Sequence, residues 1–372
     1  MRSGRRAIWA YGLLSAMGAL PFLILPSIAG TAMAAGLDAA ETLAMIAIAL
    51  TVGELLAGAL CPLALGDKFK PTTALAVAVA FALLFLVSSI YPGPLSLVCW
   101  CGIGVAAGML QYFGTTFAVI DDAPEQASQL RLSLSLAVSG AIIATSAIWV
   151  ETGYDALKYG ITGLLLLSTL AVWFIVKPMQ ADASDRQSAN PDRAEASAPS
   201  PYAAFLSVLL FFAVFLPFVS ILPAMIDHQS ADKTLLQMGL GKLIAAVVLY
   251  RLSRMMKTAE TLRSAILSAG CLGAASGLVV IAPSVLVFAV LEIGINAFVA
   301  MLLGRHGRLM SLRQKTWMFF MIQLGSLAGF AALGLLPSDQ TFIWWPLAII
   351  GPVGLALLFP GLVGRPRKID HF

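Results

Sequence analysis

The sequence predicts an all-α membrane protein whose twelve transmembrane helices form two pseudo-symmetric six-helix bundles. Three observations carry that expectation. Only 11% of the 372 residues are charged and 59% are hydrophobic, whereas a soluble domain carries roughly 25% charged residues. So few charges cannot cover a water-facing surface, and the mean hydropathy of +0.90 agrees. Apolar runs long enough to cross about 30 Å of hydrocarbon follow one another along the whole chain. The basic residues, finally, fall where alternating crossings put nearly all of them on one side.

The first six spans are read at residues 7–33, 42–65, 72–91, 95–120, 132–150 and 157–176. Arg2, Arg5 and Arg6 ahead of the first, and Ala32-Met33-Ala34 at its end, resemble a secretory signal. The run is much longer than a signal core of about 7–15 residues, and it is echoed in the second half, so it is read as a span. Tyr91-Pro92-Gly93-Pro94 is the turn between the third and fourth. Residues 177–201, rich in Ala, Ser, Asp and Pro, cannot build a packed core. They are expected to be a flexible cytoplasmic linker between an N-terminal bundle (1–176) and a C-terminal bundle (202–372). The second six spans are read at 202–225, 235–250, 262–281, 284–303, 317–336 and 342–363. The eighth is short and contains Lys242.

With the N-terminus in the cytoplasm, the inner stretches hold 20 of the 23 Lys and Arg. These run from Arg2 through Lys68, Lys70 and Arg131 to Arg365, Arg367 and Lys368. Only Lys158 and Lys233 fall outside, and Lys242 lies within a span. Adding or losing one helix would scramble this positive-inside pattern. Both termini are therefore expected in the cytoplasm, with the protein multi-pass in a cell inner membrane.

The halves also echo one another. Gly53-Glu54-Leu55-Leu56-Ala57 is answered by Gly241-Lys242-Leu243-Ile244-Ala245. Leu20-Pro21-Phe22 with Pro26 is answered by Leu216-Pro217-Phe218 with Pro223, and Gly102-Ile103-Gly104-Val105 by Glu292-Ile293-Gly294-Ile295. Matches at corresponding positions of two six-helix halves fit a parallel repeat about an axis along the membrane normal.

Two such halves, a polar central linker and cytoplasmic ends resemble the major facilitator superfamily of secondary transporters. That family's signature loop between helices two and three runs roughly Gly-x-x-x-Asp-basic-x-Gly-basic. Here it reads Leu63-Ala64-Leu65-Gly66-Asp67-Lys68-Phe69-Lys70-Pro71. Asp67 and Lys68 match, while Leu63 and Lys70 replace the glycines. The family's helix-four arginine falls at Trp100. The resemblance implies alternating access, with the halves rocking about a midplane site lined mainly by helices one, four, seven and ten. It also implies that Asp67 and Lys68 belong to a cytoplasmic gate.

Three ionisable groups, Glu54, Lys242 and Glu292, lie well inside spans. A charge at membrane depth costs about 3 kcal/mol or more, so such residues usually mark ion or substrate paths. The simplest arrangement pairs Lys242 with one glutamate. The other carboxyl can then take a proton on one side and release it on the other, coupling transport to the proton gradient. Glu292 is favoured for that role because the resemblance places helix ten on the cavity. Glu54 and Lys242, at equivalent positions of helices two and eight, form an interdomain latch in a second arrangement. A static ion pair beside a neutral, hydrogen-bonded glutamic acid is the third. The sequence leaves the three open.

An uncharged layer supplies candidate substrate contacts: Gln111 and Tyr112 on helix four, Asn296 four residues after Glu292, Gln323 beside Gly325 and Gly329, and Tyr11 opening helix one. Pro21, Pro26, Pro217 and Pro223 are expected to break or kink helices one and seven. His228, His306 and His371 have no partners at metal-ligand spacing, and Cys61, Cys99, Cys101 and Cys271 read as buried thiols. No phosphate loop or nucleophile elbow occurs, so neither a cofactor nor an enzyme activity is expected. Topology and anionic lipid account for the basic inner rim, without nucleic acid, and Trp344-Trp345 reads as an interfacial belt. The leading expectation is a monomeric, proton-coupled symporter taking up a small anionic or zwitterionic organic solute. A proton-driven efflux pump for amphipathic compounds and a transport-inactive membrane receptor are the alternatives.

Overall fold

In hydrocarbon every backbone N–H and C=O must be satisfied within its own segment, so each long apolar run closes into a helix. The computed structural model describes residues 2–64, 71–91, 93–120, 124–150, 152–176, 202–226, 229–252, 262–309, 312–336 and 338–358. Each of the twelve expected spans coincides with helix. The first is split into α1 (Arg2–Leu23) and α2 (Leu25–Ala34). The others are α3 (Ala39–Ala64), α4 (Pro71–Val87), α5 (Pro94–Ile120), α6 (Pro124–Trp149), α7 (Tyr154–Val176), α8 (Tyr202–Met225), α9 (Ala231–Leu252), α10 (Leu262–Ile281), α11 (Val285–Leu309), α12 (Leu312–Leu335) and α13 (Trp344–Leu358). By length and composition, eight described stretches are apolar enough to cross a membrane, and four shorter apolar helices stand at the third, ninth, tenth and twelfth positions. Exposed residues such as Val87, Leu95, Ile148, Phe174 and Leu335 coat the outside with apolar surface. A water-soluble monomer does not carry so much of it.

The prolines act unequally. Pro26 has no N–H for the carbonyl four residues earlier, and the first span pauses at Ile24 before α2 restarts. Pro217 and Pro223 lie inside α8 and do not break it. Between α2 and α3 the chain turns on Gly36, whose φ of 73° suits glycine. The Leu37 N–H returns to the Ala32 carbonyl, and Asp38 accepts from the Glu41 N–H at 3.0 Å to cap α3.

Helix α5 packs on α1, α3 and α4, while α7 lies against α4 and α1. Among the later helices α12 packs on α8, α11 on α9 and α10, and α13 on α10 and α8. Two long seams join the earlier six spans to the later six, α6 against α9 and α3 against α12. The end of the first span joins them, with α2 against α8.

The repeated glycine ahead of each mid-span charge has a steric purpose. A Cβ on Gly53 would stand 2.7 Å from the Val105 nitrogen of α5, and one on Gly241 would stand 2.6 Å from the Phe288 Cβ of α11. Bare backbone lets α3 close on α5 and α9 close on α11, as small residues do in membrane bundles. Gly53→Ala is expected to cost about 1–3 kcal/mol through overpacking, because the obstacle is main chain and cannot rotate away. Gly163→Ala is the control, since nothing lies within 4 Å of its Cβ position. Equal thermal midpoints for the two variants in detergent would contradict this account of the packing.

Two smaller expectations are corrected. Trp344 is buried, and Trp345 Nε1 donates to the Ser276 carbonyl at 3.0 Å. Trp345 therefore ties α13 to α10, and the buried Trp344 ring is not free to face lipid. Of the four thiols, Cys61 and Cys99 are buried, Cys101 is half-buried and Cys271 is exposed.

Candidate functional site

Glu54 sits in the middle of α3 with 0% exposure. Its neighbours come from helices that the packing above brings together. Gln111 of α5 donates through Nε2 to Glu54 Oε1 at 3.1 Å and to the Gly18 carbonyl of α1 at 2.9 Å. Arg131 of α6 donates through Nη2 to Gln111 Oε1 at 3.2 Å. From the other side of the seam, Gln323 of α12 donates through Nε2 to Glu54 Oε2. One carboxyl thus ties α3 to α5 and α12, and through Gln111 to α1 and α6. Gln323 is only 4% exposed, and its Oε1 has no hydrogen-bond partner.

The second cluster is an ion pair. Lys242 of α9, 2% exposed, contacts Glu292 Oε1 of α11, itself buried. Gly241 sets that pairing by allowing α9 to close on α11. The stem of Lys242 also lies along the α6/α9 seam, where a Cβ on Gly140 would be 3.0 Å from the Lys242 Cβ. Of the alternatives that the sequence left open, Lys242 takes Glu292 and not Glu54. Among the described residues Glu54 forms no ion pair, and its carboxylate oxygens face amides. A latch between Glu54 and Lys242 is not what holds the halves together.

Arg131 is the residue whose reach the sequence reading did not foresee. Counting charges assigns it to the cytoplasmic rim ahead of the fifth span. Helix α6 in fact begins at Pro124, so Arg131 stands two turns inside it and its guanidinium reaches the Glu54 cluster. A proline at the first helical position is a start signal, and no Gly or Pro interrupts the stretch from Glu125 to Ser139. Those two cues mark the longer helix.

The remaining candidates are dispersed. Asn296 Nδ2 donates to the Glu292 carbonyl at 2.7 Å, within its own helix. Tyr11 is buried in α1, and Tyr112 is half-buried with its ring edge-on to Phe113 at 6.2 Å. Trp100 is fully buried and donates to the Ser89 carbonyl at 2.9 Å, a packing role. Asp67 and Lys68 lie outside the described residues.

A chain of apolar helices with an amide-bound carboxyl and an ion pair at mid-span defines a multi-pass membrane protein with polar machinery in its interior. No protein-family model matches the sequence, and no curated protein matches it. In three dimensions it is similar to a bacterial homologue of the iron transporter ferroportin in an inward-facing state. That likeness has a TM-score of 0.60 at 13% identity, covering 98% of this chain and 99% of the other. It is similar as well to a mutant form of the peptide transporter POT in complex with sulfate, with a TM-score of 0.62 at 11% identity, covering 96% and 94%. The chain has the major facilitator fold.

Proposed function

We propose that the chain is a secondary active transporter that takes up a small anionic or zwitterionic organic solute by alternating access, in symport with protons. The observation that carries this reading is Glu54. It is a carboxyl buried in mid-helix without a cation in contact, held by amides from both sides of the α3/α12 seam. Fixed structural charges at membrane depth are normally paired, and the structure pairs Lys242 with Glu292. An acid whose hydrogen bonds come from amides is free to gain and lose a proton as water reaches it.

The two rocking units would be residues 1–176 and 202–372, with 177–201 as the cytoplasmic linker. Neighbour relations support that division, because they recur six spans later. The contacts of α3 with α5, α4 with α7 and α1 with α6 are matched by α9 with α11, α10 with α13 and α8 with α12. The two seams exchange under the same shift, α3 with α12 becoming α9 with α6. Charge asymmetry supports cytoplasmic termini in an inner membrane, and Asp67 with Lys68 would gate the cytoplasmic side. Lys242 is the group that attracts a carboxylate of the solute, with Glu292 balancing its charge in the empty state. Gln111, Tyr112, Asn296, Gln323 and Tyr11 are the candidate hydrogen-bonding groups for the solute. The solved neighbours' names agree on transport and differ on cargo, so the cargo class is argued from charge. The protein would act as a monomer and not as an enzyme.

The test is a thermal-shift scan of detergent-purified protein against candidate solutes. A solute at a hundred times its Kd adds about 2.7 kcal/mol to the folded state. Stabilisation by a polar anion or zwitterion that also enters proteoliposomes down a proton gradient is the expected result. Stabilisation by lipophilic cations would make the protein an efflux pump, and binding without flux would make it a receptor.

A further inference from the structure

Gln323 carries an unusual defect for a residue so deeply buried. Its Nε2 donates to Glu54 Oε2, while its Oε1 has no donor among the described residues. Glu54 as an anion cannot help, because a carboxylate only accepts hydrogen bonds. A protonated Glu54 offers the missing O–H. Acid and amide can then pair through two bonds, amide N–H to acid carbonyl and acid O–H to amide oxygen. Only a turn about the soft terminal torsion of Gln323 is needed to bring its oxygen round.

We propose that Glu54 and Gln323 form a proton-operated latch across the α3/α12 seam, shut when Glu54 is protonated and released when the proton leaves. This deepens the transport reading and rests on it for its purpose. The release has a direction as well as a cause. Around Glu54, α2 and α8 carry no charged residues. The ionisable side chains of α5 are Cys99, Cys101 and Tyr112. On α12, Arg313 and Lys315 stand in the first turn, and α3 itself carries Glu41 in its first turn and the buried thiol Cys61 two turns beyond Glu54. The facing cation is Arg131 of α6, just beyond Gln111. A deprotonated Glu54 is therefore drawn toward α5 and α6, its own side of the seam. The Gln323 oxygen is left without its donor, and the charge-assisted bond from Gln323 Nε2 is all that still holds Glu54 to α12. An unpaired anion and a donorless acceptor, both buried, together cost more than that one bond returns, so the seam opens on deprotonation and hydrates them.

The latch is tested without any solute, on the full chain in nanodiscs. Hydrogen exchange over residues 317–330, corrected for the pH dependence of intrinsic exchange, reads the opening of α12. In the wild type the exchange rate is expected to rise about tenfold per pH unit, the slope of one proton linked to opening. Glu54→Gln keeps an amide in place of the acid and should be slow at every pH. Gln323→Leu should be fast at every pH. A flat wild-type profile, or a Glu54→Gln profile with the wild-type slope, would overturn the proposal. Should Gln323→Leu not fold, infrared spectra decide. A protonated-carboxyl band at acid pH that Glu54→Gln removes supports the latch, and the lack of one refutes it. If transport fails, this slope is untouched; if the latch fails, stabilisation by solute is untouched.

Discussion

Lys242→Met is expected to lower the stability of the purified protein by about 3–5 kcal/mol, the usual cost of removing one member of a buried ion pair. The loss comes less from the missing bond than from what remains. Glu292, buried in α11, would keep a charge that no other described residue pairs. The double variant Lys242→Met with Glu292→Leu removes both charges and should recover most of the loss, since apolar replacements of buried pairs are often neutral or better. The cycle of single and double variants isolates the coupling. It is read as unfolding midpoints in detergent. A single variant as stable as the parent would mean that water reaches the pair and solvates it.

The second large effect concerns coupling. With the solute found by thermal shift, proteoliposomes under a pH gradient should accumulate it about tenfold per pH unit for each proton carried, because one unit is worth 1.36 kcal/mol. In Glu54→Gln the final ratio should fall to one. Glutamine is close in shape and preserves amide hydrogen bonds to Gln111 and Gln323, so the protein stays folded while the proton carrier is gone. Glu292→Gln should behave differently, leaving Lys242 unpaired and showing its effect mainly as lost stability. Accumulation that survives Glu54→Gln undiminished would move coupling to another group.

The contrast between those two glutamates is where sequence reasoning stopped. Glu54, Lys242 and Glu292 all stand out as charges inside apolar runs, and all three are buried. Family resemblance favoured Glu292 as the proton carrier because of its helix. The structure instead pairs it with Lys242 and leaves Glu54 to amides. Gln323 was legible only as one polar residue beside two glycines, yet it lies across a seam from Glu54, 269 positions away in the chain. Arg131 was hidden for another reason. Hydropathy places the edge of a span where the apolar run begins, and α6 starts before that point.

The order and approximate bounds of the apolar spans were determined by the sequence alone. Bilayer thickness and helical rise turn a run of apolar residues into a span, and these are properties of one segment at a time. The choice of partner for each buried charge was decided only in three dimensions. It depends on how closely α3 approaches α5 and α9 approaches α11, which Gly53 and Gly241 allow. It depends also on which side chains the two seams bring face to face. A single segment contains no information about its neighbour across a seam, and electrostatic pairing at membrane depth acts only between groups in contact.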